Sequence, residues 1–242
     1  MALFHNESLR KKLYNYIKQK IKSGELKPGE LINQKEISEE LGISRTPYRD
    51  CMIQLESEGL VNIIPCRGVA VREQTLEEVI DAQEIGAALE GMAHELAFSR
   101  AKKYVLKHLA EIIEEVDQRL IEGDVSLCHD KNMDFHMLIL RCCPNKDIVI
   151  TLERMRERIY DFHPRDLTPL LKWEKIFWEE HKEQVEILKH GTPRELADFT
   201  RGVHWNVTGK EGYWETMLNV PHGTVRKYFN RRETETPYWL SV

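Results

Sequence analysis

The sequence predicts a mainly α-helical protein, with a winged helix-turn-helix module at the N-terminus and an all-helical bundle behind it. Apolar residues recur at helical spacing along most of the chain, and strand-type composition occurs only in two short segments, residues 60–64 and 69–71. With 242 residues and a hydrophobic content of 41%, the chain can bury a sizeable core. We therefore expect a globular protein whose larger part contains no strands.

The charge is distributed unevenly between the two parts of the chain. The formal net charge of −5 argues by itself against a nucleic-acid partner. Residues 1–72, however, contain 12 Lys and Arg against 9 Asp and Glu, whereas the remaining residues contain 23 against 31. A basic N-terminal module on an acidic body favours a nucleic-acid partner for the module. Because the excess is small, the basic residues would have to be clustered.

The cysteine content and hydropathy indicate the compartment. Five cysteines, an odd number without a CxxC pair, are typical of a reducing environment. No window is apolar enough to span a bilayer, and the first residues do not resemble a signal peptide. The sequence therefore predicts a cytoplasmic protein without a membrane partner.

The first elements have the signals of a helix-turn-helix motif. Apolar residues at helical spacing predict a first helix over residues 7–23. Asn33 and Glu36 form a capping-box pattern, which predicts a short second helix that ends at Gly42. Ser44 is a good N-cap, with a hydroxyl able to accept from first-turn amides, for a third helix. Two helices joined by a three-residue turn are the helix-turn-helix arrangement.

The third helix and the two strands carry the candidate DNA contacts. Arg45 and Arg49 lie one turn apart, and arginine pairs bidentately with guanine in a major groove or binds phosphates. Taken alone, two such arginines are more often a solvated basic helix end than a DNA contact, and the surrounding motif changes this balance. The strands predict a two-stranded wing with Arg67 and Gly68 at its tip, where glycine allows close approach of the backbone.

For the remainder of the chain, the sequence predicts a helical body followed by an aromatic-rich tail. Thr75 is a candidate N-cap for one or two helices that reach about residue 101, and a further helix ends at Gly123. Aromatic residues in the tail predict that it packs on the body or on a dimer partner. The domain boundaries that we expect are 1–74 for the winged helix-turn-helix, 75–208 for the helical body and 209–242 for the tail.

Three predicted helices of the body each place a histidine on the inward face. Asn132 and His136 are four residues apart and therefore share a face, while His181 and His204 lie on later helices. One buried histidine is more often a neutral ring bonded to a carbonyl, but three together with an amide favour a metal site. Zinc suits imidazole ligands, and nickel, manganese or iron are also possible. Glu180 is expected to project from a different face than His181.

The N-terminal segment resembles a known family over residues 8–72. The residues that carry the resemblance are Leu26–Glu30, Ile37–Arg49, Leu55–Val61 and Pro65–Val69, which are similar to the winged helix of GntR-superfamily transcription regulators. The resemblance implies a homodimer on a palindromic double-stranded DNA operator. The DNA-binding residues that it implies, together with the helix cap, are Lys35, Ser44, Arg45, Thr46, Arg49, Arg67 and Gly68. Tyr48 stands where the family commonly has a small aliphatic residue.

The body resembles the FCD ligand-binding domain of the FadR-like branch. The segment from Gly86 to Ala93 is similar to its first long helix, and the Asn132–His136 segment to its metal-binding motif. The resemblance implies a divalent metal ion held by Asn132, His136, His181 and His204, with a small carboxylate as effector. Asn132 replaces the aspartate of the motif, so either Asn132 binds the ion weakly or the site consists of three histidines and water. Gly86 stands where the family often has an arginine.

Together, these observations predict a ligand-responsive transcription regulator, most often a repressor in this branch, and not an enzyme. A metal-free regulator that binds a larger acyl effector is one alternative. A mononuclear metal hydrolase is another, because three histidines and a water could form a hydrolytic centre. We expect no general base beside the histidines, which disfavours the hydrolase.

Overall fold

A computed structural model describes residues 9–160 and 168–234 of the chain. The chain divides into two compact units: of the described residues, 9–74 and 156–160 form the N-terminal unit, and 75–155 and 168–234 form the C-terminal unit. None of the helices in the described part combines the length and the apolar character that crossing a membrane requires.

The N-terminal unit is a winged helix. Its elements are α1 (Leu9–Lys22), α2 (Gln34–Leu41), α3 (Arg45–Ser57), β1 (Val61–Ile64) and β2 (Gly68–Val71). The two strands are antiparallel, with Val61 opposite Val71 and Ile64 opposite Gly68. A single apolar core includes Leu13, Ile17 and Leu55. The predicted winged helix-turn-helix is therefore confirmed.

Local hydrogen bonds explain where α2 and α3 begin. The Asn33 side chain accepts from the Glu36 amide, as the capping pattern predicts. The Glu36 carboxylate accepts from the Asn33 side-chain amide at 3.1 Å, so the reciprocal bond differs from the usual capping box. Ser44 is the N-cap of α3, but its hydroxyl makes no capping hydrogen bond. The predicted hydroxyl cap at Ser44 is wrong.

The C-terminal unit is helical throughout its described residues. Its α-helices are α4 (Leu76–Tyr104), α5 (Leu106–Ile121), α6 (Cys128–Leu140), α7 (Lys146–Tyr160, of which residues 146–155 belong to this unit), α8 (Leu171–His190), α9 (Pro193–Phe199), α10 (Glu211–Met217) and α11 (Thr224–Thr234). A 3₁₀ turn, Thr168–Leu170, precedes α8, and a π-helical turn, Thr200–His204, continues α9. The all-α body of the predicted fold class is confirmed.

Helix α4 is the longest element and the one against which the others are arranged. It runs for 29 residues without a break, and a complete capping box between Thr75 and Glu78 fixes its first turn. It packs against α6, α9 and the π turn, while α5 packs against α6 and α8. Phe135 and Trp178 are among the largest fully buried side chains of the core between them.

The helices after residue 208 pack on the same C-terminal unit. The Tyr213 ring on α10 meets the Phe177 ring of α8 edge to face, with 4.8 Å between the ring centroids. On α11, the Arg232 guanidinium donates to both carboxylate oxygens of Glu84 on α4, at 2.9 and 3.1 Å. The remaining tail aromatics, Tyr238 and Trp239, lie outside the described residues.

Replacing Tyr213 with alanine should destabilise the C-terminal unit. Tyr213 is 6% exposed, and loss of a buried aromatic ring costs about 3–5 kcal/mol. The matched control is Tyr104→Ala, because Tyr104 is 62% exposed at the end of α4. Guanidinium unfolding followed by circular dichroism measures both. Equal midpoints for the two variants would contradict the packing role of Tyr213.

Candidate metal centre and DNA-binding surface

The structure brings the three predicted histidines together inside the C-terminal unit. His136 is on α6, His181 on α8 and His204 at the end of the π turn. The Nε2 atom of His136 lies 3.2 Å from that of His181 and 3.1 Å from that of His204. Three ring nitrogens from three segments therefore meet at one point.

These distances fit three ligands of a single metal ion. Metal–imidazole bonds of about 2.0–2.1 Å place neighbouring nitrogens about 2.8–3.0 Å apart at octahedral angles and about 3.3–3.4 Å apart at tetrahedral angles, an overall interval of about 2.8–3.4 Å. The observed separations of 3.1 and 3.2 Å lie in that interval. The donor set fits zinc and other imidazole-binding divalent ions.

Two buried carboxylates orient the rings from behind. The Nδ1 atom of His136 lies 2.5 Å from Glu90 Oε1 on α4, and that of His204 lies 3.0 Å from Glu180 Oε2 on α8. An ionised carboxylate only accepts hydrogen bonds, so the Nδ1 atom of His204, which is hydrogen-bonded to Glu180, carries the proton. The Glu90 carboxylate beside the Nδ1 atom of His136 favours the same tautomer there electrostatically. Each neutral ring then presents the lone pair of Nε2 to the meeting point. Histidines that bind metals almost always have such partners.

The placement of Glu180 differs from the sequence-based expectation. Glu180 was expected to face away from His181, but both residues are buried in the same centre. Helix α8 packs against α4, α5, α9 and the π turn, so residues over a wide arc of the helix are buried. Burial raises the pKa of the Glu180 carboxyl, opposed by hydrogen bonding to Lys210, and burial lowers the pKa of the Lys210 ammonium, opposed by Glu180.

A fully buried histidine that the sequence analysis left without a role joins the same network. His94 Nδ1 lies 2.8 Å from the Thr200 hydroxyl, and its Nε2 lies 3.4 Å from Glu90 Oε1. Gln184 donates to the same hydroxyl at 3.2 Å, and Thr200 donates to the Leu196 carbonyl at 2.8 Å. Glu90 and His94 are four residues apart on α4, and this spacing is the sequence signal that could have found them.

The π turn decides which residues of its segment face the centre. The Trp205 amide donates to the Thr200 carbonyl five residues earlier, which widens the turn. A regular helical period predicts that Val203 shares the inward face with Thr200 and His204. Val203 is exposed because the wide turn shifts the helical phase, whereas Thr200 is fully buried.

The candidate DNA contacts of the N-terminal unit are all on its surface. They are Lys35, Ser44, Arg45, Thr46, Arg49, Arg67 and Gly68, and every one of them is exposed. Ser44 and the first-turn amides of α3 are available for a phosphate, since the Ser44 hydroxyl does not cap them. Below this surface Tyr48 is packed into the core, and burial raises its pKa to about 12.

Comparison with known proteins assigns the family. Residues 9–71 match the family model for bacterial regulatory proteins of the gntR family, and residues 81–203 match that for the FCD domain. The uncharacterized HTH-type transcriptional regulator YdhC of Bacillus subtilis (strain 168) is 30% identical over 185 residues, 73% of this chain and 82% of the relative. The chain belongs to the GntR family. It is a DNA-binding transcription regulator with an FCD domain.

Two further comparisons agree with this assignment. A relative from Paenarthrobacter nicotinovorans, a probable D-xylose utilization operon transcriptional repressor, is 28% identical over 56% of this chain and 59% of its own length. The solved structure of E. coli McbR/YncC has the same fold, with a TM-score of 0.67 at 22% identity, over 86% of this chain and 99% of that one.

At Gly86 this GntR protein departs from the FCD pattern for a steric reason. A Cβ atom at Gly86 would lie 2.3 Å from the ring of Trp205, the residue after His204. Trp205 is itself buried, so its indole occupies the space that a side chain at position 86 would need. An arginine there is incompatible with this packing. Asn132 is half-buried on α6, one turn before His136, and its ligand role stays a prediction.

Substituting Gly86 with alanine should destabilise the FCD unit of this GntR protein by about 1–3 kcal/mol, the usual cost of overpacking a buried site. Gly202→Ala is the control, because a Cβ at Gly202 meets nothing within 4 Å. Chemical unfolding measures both variants. A neutral Gly86→Ala would show that Trp205 moves aside without cost.

Proposed function

We propose that this protein is a metal-dependent sensor of a small organic acid and that it represses transcription by binding a palindromic operator as a homodimer. The convergence of His136, His181 and His204 Nε2 atoms at 3.1–3.2 Å supports the metal. Glu90 and Glu180 give His136 and His204 the tautomer in which Nε2 is a lone-pair donor. Two lone pairs at this distance repel each other unless a cation lies between them.

In the metal-free alternative, the cation between the ring nitrogens would be a proton. An imidazolium at the centre would satisfy one nitrogen pair, but it leaves the third ring without a shared proton. A divalent ion satisfies all three nitrogens at once and keeps coordination positions open. The geometry therefore favours zinc, nickel, manganese or iron over a metal-free acyl site.

An anionic effector follows from the charge of this centre. Three neutral imidazoles and the neutral amide of Asn132 leave the charge of a divalent ion uncompensated by direct ligands. Glu90 and Glu180 contact the Nδ1 side of the rings and not the Nε2 side. A carboxylate that completes the coordination shell would supply the missing negative charge. Gly86 offers no arginine to hold it, so the ion would be its principal anchor.

The same placement argues against the hydrolase alternative. A general base must reach a metal-bound water within hydrogen-bond distance. Glu90 and Glu180 lie behind the rings, and Glu180 also accepts from Lys210 at 2.7 and 2.8 Å. These carboxylates orient ligands and do not face the open coordination positions.

The DNA-binding mode rests on the exposed basic residues of the winged helix. Arg45, Thr46 and Arg49 at the start of α3 would read a major groove, while Lys35, Ser44 and the wing residues Arg67 and Gly68 would contact phosphates or the adjacent groove. An exposed apolar stripe on α4, formed by Ile85, Met92 and Leu96, supports the homodimer. The repressor named among the relatives supports repression.

Replacing Arg45 with alanine should weaken operator binding about 5- to 150-fold, the equivalent of about 1–3 kcal/mol for a lost base contact. Lys107→Ala controls for the loss of one positive charge, because Lys107 is 86% exposed on α5. The operator is selected from random duplexes, and both affinities are measured over a salt series. Unchanged operator affinity for Arg45→Ala would refute the recognition-helix assignment.

Native mass spectrometry of the purified protein should show two chains, each with one divalent ion. His136→Ala should lose the ion, with an affinity loss beyond the roughly 10- to 100-fold that an outer partner costs. His190→Ala is the control, since His190 is 79% exposed. A panel of mono-, di- and tricarboxylic acids should include one that changes operator affinity about 5- to 150-fold.

The carboxylate response should disappear in His136→Ala and after chelation. If the unaltered protein binds no divalent ion while an acyl compound releases the operator, the metal-free alternative is correct. An equal carboxylate response with and without metal would likewise overturn the proposed sensor.

A further inference from the structure

Lys210 lies seven residues beyond the end of the FCD match, yet it contacts Glu180, the carboxylate that is hydrogen-bonded to His204. Its side chain is 10% exposed, and Nζ lies 2.7 Å from Glu180 Oε1 and 2.8 Å from Glu180 Oε2. The same atom donates to the carbonyls of Val203 and His204, at 2.8 and 2.9 Å. The Phe177 ring covers it at 5.1 Å.

The carbonyls that Lys210 binds belong to the segment that carries His204. The Asn206 amide also donates to the Val203 carbonyl, at 3.2 Å. Carbonyls at the end of a helical segment carry partial negative charge, so a cation near them is favourable. Lys210 therefore fixes the end of the π turn and, through the same nitrogen, the carboxylate that receives the His204 Nδ1 proton. One ammonium sets both the backbone position and the ring orientation of His204.

Removing this ammonium would leave a buried carboxylate beside His204 without its cation. A buried carboxylate that loses its partner is costly, so it rotates toward water or takes up a proton. Either change removes the fixed acceptor of His204 Nδ1. The Nε2 lone pair would then no longer be held toward His136.

We propose that Lys210 is a positioning residue of the metal centre, acting on His204 through Glu180 and through the carbonyls that end the π turn. This inference rests on the proposed metal site. It assigns to the segment after residue 208 a part in building that site, although neither family match includes that segment.

A double-mutant cycle on the full chain tests this positioning role. The variants are Lys210→Met, Glu180→Gln and the two combined, with Co²⁺ as the probe in competition with a chromophoric chelator. We expect each single change to weaken Co²⁺ binding about 10-fold or more, as loss of an outer partner does. The double variant should lose little more than either single one, because the two residues act as a unit.

The control is Lys182→Met, on the surface of α8, the helix that also carries Glu180. Lys182 pairs with Glu179 at 2.7 Å and with Asp117 at 2.8 Å, so it is also a lysine bound to carboxylates, but away from the histidines. Its Co²⁺ affinity should equal that of the unaltered protein. The melting temperature of each metal-free variant separates a general loss of stability from a change at the site.

Lys210→Arg provides a second variant in case Lys210→Met does not fold. Arginine keeps the charge, but its planar fork cannot bring one nitrogen to all four oxygens. We expect a folded protein with weaker Co²⁺ binding and a shifted visible absorption spectrum. An unchanged spectrum and affinity would overturn the inference.

The remaining outcomes separate this inference from the proposed function. Additive losses in the cycle, or Lys210→Met binding Co²⁺ as tightly as the unaltered chain, overturn the positioning role and leave the sensor proposal standing. An unaltered chain that binds no Co²⁺ overturns both.

Discussion

The arrangement of the C-terminal unit depends on two contacts between a carboxylate and the Nδ1 atom of a histidine. Glu90 holds His136 and Glu180 holds His204, at 2.5 and 3.0 Å. These contacts decide which nitrogen of each ring carries the proton and therefore what the rings present to one another. The surrounding helices must keep two carboxylates buried to maintain this state. The second partners of the carboxylates, His94 and Lys210, extend the polar network into α4 and the segment after the π turn.

The fold class and the inward placement of the three histidines could be predicted from the sequence, because both depend on local periodicity. Helical spacing and the capping pattern at Thr75 placed α4, and the same spacing put His136, His181 and His204 on inward faces. Local periodicity could not identify Glu180, because the width of the inward arc of α8 is set by the helices packed around it. Local periodicity also predicts the wrong exposure for Val203. The π turn shifts the helical phase, so a 3.6-residue period no longer gives the direction of this side chain. Lys210 and Glu180 are 30 residues apart, and only the tertiary fold pairs them.

Gly86 illustrates how a departure from a family pattern becomes intelligible only with a structure. In the sequence, Gly86 stands where the family often has an arginine, and no neighbouring residue indicates which group takes the place of that arginine. In the fold it is one half of a small-to-large pair, because the Trp205 indole lies where the Cβ atom would be. A change at either residue alone would create a clash or a cavity, so the two side chains are constrained together.

Helix α4 runs without a break from the boundary after Gln74 to the histidine centre. Its first residue, Leu76, follows the boundary between the units, and Glu90 lies 14 residues further along the same uninterrupted helix, about 21 Å away. An effector can shift operator affinity only if it binds one arrangement of α4 better than another. A differential of about 1–3 kcal/mol at the centre suffices for a 5- to 150-fold change. A change in the buried Glu90–His136 contact between two arrangements would contribute to that differential, because a buried carboxylate that loses its partner is costly. The contact that sets the ring tautomer is therefore also the place where occupation of the centre can act on the position of α4.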